Sequence, residues 1–440
     1  MGGNSWPPES ELDDLRKTVA DIAGRTTKEV RVVVSPYRIC PLGAHIDHQG
    51  GAVSAMTINK GILLAFVPSG NSEVVLHSAQ FGGEVRFRVD ESHHPKKAGN
   101  ANEIRNGKGS TKLVEECFWG RYAKGAVYAL KSKGNILNQG IIGLISGSSG
   151  LDSSGLSSSA AVGVAYLLAL ENANNISISP SENIEYDRLI ENEYLGLSNG
   201  ILDQSAILLS KQGCLTFMDC KTKDYKIVNP SNLKVNDTNG VSKSYKILLA
   251  CSGLKHALTS DTGYNRRVAE CQEAARMLLD AAGKHEVKAI LSNVEEEVYE
   301  AHKDKLEPHL ARRAEHYFSE NMRVMKGVEA WASGRMEEFG KLITASGQSS
   351  IQNYECGCKP LIELYEVLLR APGVLGARFS GAGFRGCCIA LVNSDLASEA
   401  ASFVKNEYSK LQPELVSNIT QEAAVLICES GDGARVIIAS

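Results

Sequence analysis

A run of small and hydroxyl residues in the first half of the chain has the composition of a phosphate-binding loop. Residues 147–163 consist mostly of Gly, Ala and Ser, and we predict a helix from Ala160 to Asn172 directly after the serines. Small residues let a backbone approach a ligand closely, and a helix N-terminus offers unpaired N–H groups to an anion. The lysine of the Walker A pattern is missing, so backbone amides and serine hydroxyls would hold a nucleotide here. The alternative is a serine-rich surface turn with good helix caps.

A second segment, residues 35–51, carries charged and imidazole side chains on a loop that two prolines and three glycines shape. The polar residues are Arg38, His45, Asp47 and His48. Two histidines and a carboxylate could bind a metal ion, and neighbouring polar groups on a rigid loop suit sugar hydroxyls at least as well. A tight turn with ordinary surface polar groups is the third interpretation.

Asp203 is an acid between apolar residues, just after a glycine turn. Buried acids need a partner, and Arg38 is the obvious candidate. Such a pair would keep the carboxylate ionised, so that it could accept a proton or orient a hydroxyl group. Upstream, on a helix predicted over residues 182–196, Glu191 could reach a divalent metal on the phosphates or could be an ordinary solvated carboxylate.

Two further segments carry weaker signals. Residues 380–386 match the letters of a dinucleotide-binding G-x-G-x-x-G loop, but a strand-like segment follows where that fingerprint needs a helix. We therefore reject dinucleotide binding and expect this loop to close over a ligand or to pack on the first loop. Trp119 opens a predicted amphipathic helix and could stack on an adenine ring, although a core position is the commoner fate of a tryptophan.

The elements that must position these residues mix strands and helices without regular βαβ alternation, which predicts an α+β fold. Polar residues 91–112 predict a surface loop, and residues 221–244 predict a crossing between domains 1–225 and 226–440. The main predicted strands cover residues 30–34, 61–67, 74–89, 141–145, 213–219, 245–251, 377–379, 388–392 and 425–428, and the later helices cover 265–282 and 310–332.

Composition excludes several classes of protein. The 440 residues carry a net charge of -4 with 43% hydrophobic and 22% charged residues, so we expect no nucleic-acid partner and no membrane span. No basic and apolar leader opens the chain, and the eleven cysteines are scattered, which argues against a disulfide framework. We expect a cytoplasmic monomer.

Taken in order, these segments resemble the three motifs of the GHMP family of small-molecule kinases, and most strongly its galactokinase branch. The motifs are residues 36–51, 155–160 and 381–386, and residues 200–204 are similar to the Gly-Ile-Met-Asp-Gln of that branch. Residues 119–125 resemble its Trp-x-x-Tyr-x-Lys-Gly segment, and residues 264–267 resemble its sugar-contacting segment. The resemblance implies two domains with the active site in the cleft between them.

The resemblance also implies roles for individual residues. Asp203 would be the base or orienting group for an anomeric hydroxyl, and Arg38 would stabilise both Asp203 and the transferring phosphoryl group. Ser159 and Glu191 would hold Mg²⁺, with ATP as co-substrate. The implied sugar-binding residues are Ala44, His45, Asp47, Gly200 and Tyr264. The implied nucleotide-binding residues are Trp119, Ser153, Ser154, Gly155, Leu156, Ser157, Ser158 and Ser159.

One departure from the galactokinase pattern predicts the substrate. Ala44 stands where that branch has a glutamate that faces the C6 hydroxymethyl group of the sugar. A C6 carboxylate facing a glutamate would meet repulsion on the order of several kcal/mol in a low-dielectric pocket. Ala44 removes this obstacle, and His45, His48 or an arginine could pair with the carboxylate. We predict ATP-dependent phosphorylation of D-galacturonate at C1.

Other functions remain open at this point. A galactokinase or an arabinokinase could tolerate Ala44, since arabinopyranose lacks C6 altogether. A sugar sensor that binds ATP and sugar without turnover is possible, but such a protein need not keep Arg38, Asp203, Ser159 and Glu191. A kinase for mevalonate or homoserine is disfavoured by the segments around Asp203 and Tyr264.

Overall fold

Two β-sheets and the helices that cover them organise the chain. The computed structural model describes residues 6–95, 119–148, 151, 156, 158–197, 199–231, 244–254, 262–384 and 386–438. The predicted α+β fold class is confirmed, because the chain mixes antiparallel sheets with helices on their faces.

The larger sheet is built on two long strands, β1 (Arg31–Leu42) and β2 (Ala52–Pro68), which pair antiparallel. Its other strands in the described part of the chain are β3 (Glu73–Ser78), β4 (Glu84–Arg88), β5 (Ile141–Gly147), β6 (Leu215–Asp219), β7 (Tyr225–Val228), β12 (Ser430–Gly431) and β13 (Arg435–Ile438). The main order is β13-β1-β2-β5-β3-β4; β6 and β12 also pair with β2, and β7 pairs with β6. Only the β3–β5 pair is parallel among these described pairings.

Helices bury both faces of this sheet. Val32 and Val34 lie on the face that packs against α1 (Glu9–Ala23), and Val33 between them joins the main core on the other face. This alternation follows from the two-residue period of a strand. The remaining helices of the first half are α2 (Gly120–Ser132), α3 (Ser158–Ala173), α4 (Pro180–Arg188) and α5 (Leu202–Leu209); a π-helical turn, Leu189–Tyr194, continues α4.

The smaller sheet lies in the second half and is antiparallel throughout its described strands. Its order is β11-β8-β10-β9, formed by β8 (Tyr245–Cys251), β9 (Val374–Phe379), β10 (Cys387–Asn393) and β11 (Val425–Cys428). The helices here are α6 (Thr262–Ala281), α7 (Glu296–His302), α8 (Pro308–Ala332), α9 (Met336–Gln352), α10 (Lys359–Arg370), α11 (Ala397–Leu411), α12 (Pro413–Ser417) and α13 (Gln421–Ala424).

Strand β1 continues further than the sequence predicted. We expected the chain to leave the sheet at Ser35 and Pro36, but the strand runs to Leu42. Irregularities in the β1–β2 register, between Pro36 and Arg38 and again between Ile39 and Leu42, accommodate the two prolines. The extension matters for function, because it carries Arg38 into the interior of the protein.

The predicted domain crossing differs in detail from the structure. Residues 225–228 form β7 instead of a turn-rich connection, while residues 232–243 of the predicted crossing lie outside the described residues. Strands β12 and β13 come from the end of the chain and pair with β2 and β1 of the larger sheet. The division into residues 1–225 and 226–440 therefore stays a prediction. Most of the predicted surface loop, residues 96–112, also lies outside the described part.

Candidate active site

Arg38 and Asp203 form the predicted ion pair. The Nε atom of Arg38, on β1, lies 2.7 Å from Oδ1 of Asp203, in the first turn of α5. Burial alone would lower the pKa of Arg38, but the Asp203 carboxylate beside it raises the pKa above its ordinary value. The Asp203 side chain keeps 20% of its surface exposed, so the carboxylate is held firmly and stays accessible to a ligand.

Asp47, Gly200 and Tyr264 meet around the same carboxylate. A Cβ atom at Gly200 would overlap Oδ2 of Asp47, so only glycine allows this approach. Burial first, and then the charge of Asp203, raise the pKa of Asp47 to about 6. Burial first, and then the charges of Asp47 and Asp203, raise the pKa of Tyr264 well above its ordinary value, and its ring lies edge-on to that of His48 with centroids 6.2 Å apart. The structure thus brings together three residues that the sequence assigned to sugar binding.

Helix α8 holds the backbone of the loop between β1 and β2. The Gly43 N–H donates to Oε1 of Glu320 at 2.7 Å, and Nε2 of His316 donates to the Ala44 carbonyl at 3.1 Å. Gly43 has φ +97°, and a Cβ atom there would come within 2.6 Å of the Val53 backbone. The methyl group of Ala44 is buried. The loop is therefore fixed by contacts with residues far away in sequence.

His48 is a neutral ring whose proton position follows from its neighbours. The Leu291 N–H donates to Oε1 of Gln49 at 3.1 Å, so Nε2 of Gln49 must donate to Nδ1 of His48 at 3.0 Å. The His48 proton is then on Nε2, which lies 3.2 Å from the Tyr354 hydroxyl oxygen and donates to it. Burial lowers the pKa of His48 to about 4. Both ring nitrogens are engaged, so His48 is not a cation available to a carboxylate.

His45 is also neutral. Its ring stacks on Tyr354 with centroids 4.3 Å apart, and Nε2 lies 3.4 Å from Sγ of Cys356. Burial lowers the pKa of His45 well below its ordinary value. The expectation that either histidine pairs with a carboxylate as a cation is not supported. The metal interpretation also fails for the described residues, among which no group of three or more His, Cys, Asp or Glu side chains could hold a metal ion.

The serine segment begins α3 beside Arg38. The Arg38 backbone N–H donates to the carbonyl of buried Leu156 at 3.4 Å, and Ser158 and Ser159 form the half-buried first turn of the helix. Four of the predicted nucleotide-binding residues, Ser153, Ser154, Gly155 and Ser157, lie outside the described residues. Their roles stay predictions.

Glu191 is buried, which excludes the interpretation as a solvated helix carboxylate. It accepts a hydrogen bond from Nδ2 of Asn199 at 2.9 Å through Oε2, and its Oε1 has no hydrogen-bond partner among the described residues. Burial, and after it the charge of Asp203, raise the pKa of Glu191 to about 7, while the Ser159 hydroxyl lowers it. A carboxylate oxygen without a partner beside a serine hydroxyl fits Mg²⁺, which takes one or two carboxylates together with phosphates and water.

Trp119 is a core residue in this structure. Its side chain is buried in the main core, and its indole N–H has no hydrogen-bond partner among the described residues. These observations fit the alternative given above, in which Trp119 is a residue of the hydrophobic core. Stacking of Trp119 on an adenine ring stays a prediction.

The glycine loop at residues 380–386 connects two antiparallel strands, β9 and β10, which agrees with the rejection of a dinucleotide fingerprint. Gly381, Gly383 and Gly386 all have positive φ. A Cβ atom at Gly383 would come within 2.8 Å of Sγ of Cys356, the same sulfur that lies against His45. The third glycine loop and the first loop thus both lie against Cys356, and the expectation that one closes over a ligand or packs on the other stays a prediction.

Several residues that build this site carried no signal in the sequence. They are Gln49, His316, Glu320 and Tyr354, and they act through contacts with partners distant in the chain. Only a three-dimensional arrangement reveals such residues. An isolated histidine or tyrosine on a helix is not distinguishable from an ordinary core residue.

Comparison with known proteins identifies the class. Residues 121–211 match the sequence model of the GHMP kinases N terminal domain, and residues 325–410 match that of the GHMP kinases C terminal domain. The fold is similar to the crystal structure of Lactococcus lactis galactokinase complexed with galactose, with a TM-score of 0.78 and 28% identity over 97% of this chain and 99% of that chain. The chain belongs to the GHMP kinase family.

Two curated relatives define the similarity further. The chain is 65% identical to a galacturonokinase of Arabidopsis thaliana over 434 residues, which are 99% of this chain and 100% of the relative. It is 32% identical to a galactokinase of Lactobacillus helveticus over 396 residues, which are 90% of this chain and 92% of the relative. The predicted resemblance to the galactokinase branch of the GHMP family is confirmed. Among the described helices, none is long and apolar enough to cross a membrane.

Proposed function

We propose that this protein is an ATP-dependent sugar kinase that phosphorylates the anomeric hydroxyl of D-galacturonate and releases galacturonate 1-phosphate. The 65% identity to the Arabidopsis galacturonokinase, which extends along the whole chain, carries this proposal. The arrangement of the site supports it, since a carboxylate, its arginine partner and the start of a serine-rich helix converge.

Asp203 is the group proposed to act on the anomeric hydroxyl. Arg38 binds Oδ1 of Asp203 at 2.7 Å, which leaves the other carboxylate oxygen to orient the hydroxyl and to accept its proton. The hydroxyl oxygen then forms a bond to the γ-phosphorus of ATP while the bond from that phosphorus to the bridging oxygen of ADP breaks. Catalysis of such a transfer rests on positioning and charge neutralisation, and Arg38 supplies both for Asp203.

The surroundings of Ala44 support a carboxylate at C6 of the sugar. The Ala44 side chain is uncharged, and His45 beside it is neutral. Glu320 accepts a hydrogen bond from the Gly43 N–H next to Ala44; burial would raise its pKa, but Arg323 at 2.6 Å and Arg378 at 3.4 Å hold the pKa at about 2. Because Glu320 is compensated by these two arginines, it does not present an unpaired negative charge to a substrate carboxylate.

Mg²⁺ is proposed to bind between Ser159, Glu191 and the ATP phosphates. The cation supplies charge neutralisation for the transferred phosphoryl group when bound. Glu191 is suited to this role because its Oε1 has no hydrogen-bond partner among the described residues. The serines that begin α3 would hold the phosphates by their hydroxyls and by the backbone N–H groups of the helix.

The domain division, the oligomeric state, the cellular location and the partners of the protein are also proposals. We infer that residues 1–225 and 226–440 form two domains with the active site in the cleft between them, since Asp203 comes from the first part and Tyr264 from the second. We further infer a monomer in the cytoplasm, with small-molecule partners and no nucleic acid; the net charge of -4 supports this inference.

The experiment that tests the proposed function is a substrate panel. The purified protein is incubated with ATP, Mg²⁺ and one of four sugars (D-galacturonate, D-glucuronate, D-galactose or L-arabinose), and sugar-dependent release of ADP is measured. We expect turnover with galacturonate that exceeds turnover with the other three. Preference for galactose or arabinose would retain a kinase but overturn the proposed substrate, and sugar binding without ADP release would indicate a sensor.

A further inference from the structure

Asp187 is a buried carboxylate for which the proposed mechanism has no use. It lies near the end of α4, four residues before Glu191, and none of its surface is exposed. Neither Oδ1 nor Oδ2 has a hydrogen-bond partner among the described residues. A carboxylate removed from water without a partner is costly, so its presence calls for an explanation.

The protein makes room for this carboxylate. Gly163 on α3 faces it so closely that a Cβ atom at Gly163 would overlap Oδ1 of Asp187. Ser159 lies one helical turn before Gly163 on the same helix, and its hydroxyl faces Glu191. Two layers therefore join the helices, with Ser159 and Glu191 in the outer layer and Gly163 and Asp187 one turn deeper.

The charges in this region do not balance. Asp203 is paired with Arg38. Burial first, and then the carboxylates of Glu191 and Asp203, raise the pKa of Asp187 well above its ordinary value, so a cation bound nearby would favour its ionised form. Glu191 accepts hydrogen bonds from the neutral side chains of Ser159 and Asn199. The charge of Arg38 lowers the pKa of Glu191 less than these hydrogen bonds do. The two buried carboxylates of Asp187 and Glu191 thus lack a direct cationic partner among the described residues. One bound divalent cation would compensate their charges.

We propose that Asp187 is a positioning residue of the divalent-cation site, whose negative charge behind Glu191 strengthens the binding of Mg²⁺ in the nucleotide complex. The inference rests on the proposed function, because that function supplies the cation. Asp187 acts through its charge and through Glu191, because it lies beside Gly163, one helical turn away from the proposed ligands Ser159 and Glu191. Neutralising such a residue weakens metal affinity without removing a ligand.

The test measures cation binding separately from nucleotide binding. Mn²⁺ serves as the probe, and its dissociation constant is determined by electron paramagnetic resonance in the presence of saturating ADP. For Asp187→Asn we expect Mn²⁺ binding about tenfold weaker than in the wild type. The affinity for ADP in EDTA should not fall, because loss of a negative charge does not weaken the binding of an anion.

Glu171→Gln is the matched control. Glu171 is another buried carboxylate between α3 and α4, where it accepts a hydrogen bond from Asn183 at 3.2 Å, and it lies two helical turns beyond Gly163. Its substitution should leave Mn²⁺ binding unchanged. Asp187→Ser provides a second uncharged variant, and thermal unfolding in EDTA establishes which of the two is folded.

Each outcome decides the inference. Equal Mn²⁺ affinity in the wild type and in a folded, uncharged variant at position 187 would overturn it. An equal loss of ADP affinity in EDTA would also overturn it, because it would indicate a structural role alone. The proposed function is judged separately by the wild-type protein on the sugar panel, so its failure would not be confused with failure of this inference.

Discussion

Arg38 Nε and Asp203 Oδ1 are 2.7 Å apart although 165 positions separate them in the sequence. The pair joins the interior end of β1 to the first turn of α5 and is largely removed from water. An ion pair of this kind is costly to break, because the remaining charge would be left without compensation. It therefore fixes the orientation of the Asp203 carboxylate toward a bound hydroxyl group.

Replacing Asp203 with Asn should reduce kcat on galacturonate by about 10²- to 10⁴-fold, because the amide cannot accept the hydroxyl proton. The KM values for sugar and ATP should change little, since Asn keeps the size of the side chain. Steady-state kinetics measure both constants, and thermal unfolding verifies that the variant is folded. Full turnover by this variant would refute the role of Asp203.

Replacing Ala44 with Glu should lower kcat/KM for galacturonate by on the order of 100-fold, because the new carboxylate would repel the C6 carboxylate in a buried pocket. The loss for galactose should be far smaller. Ala44→Gln is the control for size, since it adds nearly the same volume without charge. If the Glu and Gln variants lose equal activity on galacturonate, repulsion is not the cause.

Replacing Gly200 with Ala should raise the KM for the sugar while the KM for ATP stays constant. The added Cβ atom would overlap Oδ2 of Asp47 and displace that carboxylate from the sugar side of the site. Gly82→Ala is a suitable control, because a Cβ atom at Gly82 has nothing within 4 Å. A Gly200 variant with unchanged sugar KM would show that the position of Asp47 does not affect sugar binding.

The buried Glu171 should make stability depend on pH. Burial raises its pKa from 4.5 to about 7 in the folded protein. A raised carboxyl pKa contributes stability that is fully present below the unfolded value and is lost as pH rises through the folded value. The unfolding free energy of the wild type minus that of Glu171→Gln should therefore decrease by about 3 kcal/mol from pH 4 to pH 8.

Denaturant unfolding across this pH range measures that difference directly. Glu171→Gln is informative because Glu171 lies away from the proposed catalytic residues. A difference that stays constant with pH, or that grows as pH rises, would contradict the assigned environment of Glu171.

The sequence predicted which residues carry the chemistry of the site better than it predicted the backbone that positions them. Asp203 and its partner Arg38 could be recognised because an acid between apolar residues is unusual and calls for a partner, whereas the role of Glu191 came from the family resemblance. The continuation of β1 to Leu42 could not be predicted, since Pro36 and Pro41 are local signals for a loop. The register irregularities that accommodate these prolines are set by pairing with β2.

Contacts between distant segments account for the rest. The neutral state of His48 follows from a chain of hydrogen bonds that begins at the Leu291 backbone, and no pattern near His48 indicates it. The return of β13 to β1 at the end of the chain is likewise set by packing. Asp187 is likewise distinguished only by the structure, in which both of its oxygens are buried and lack a hydrogen-bond partner among the described residues.

The most direct test of the account is a competition between galacturonate and galactose at equal concentration, with ATP and Mg²⁺ and with the products followed by ¹H and ³¹P nuclear magnetic resonance. The account predicts that galacturonate is consumed first and that its phosphate is attached at C1. Preferential formation of galactose 1-phosphate, or a phosphate at any other position of galacturonate, would contradict it.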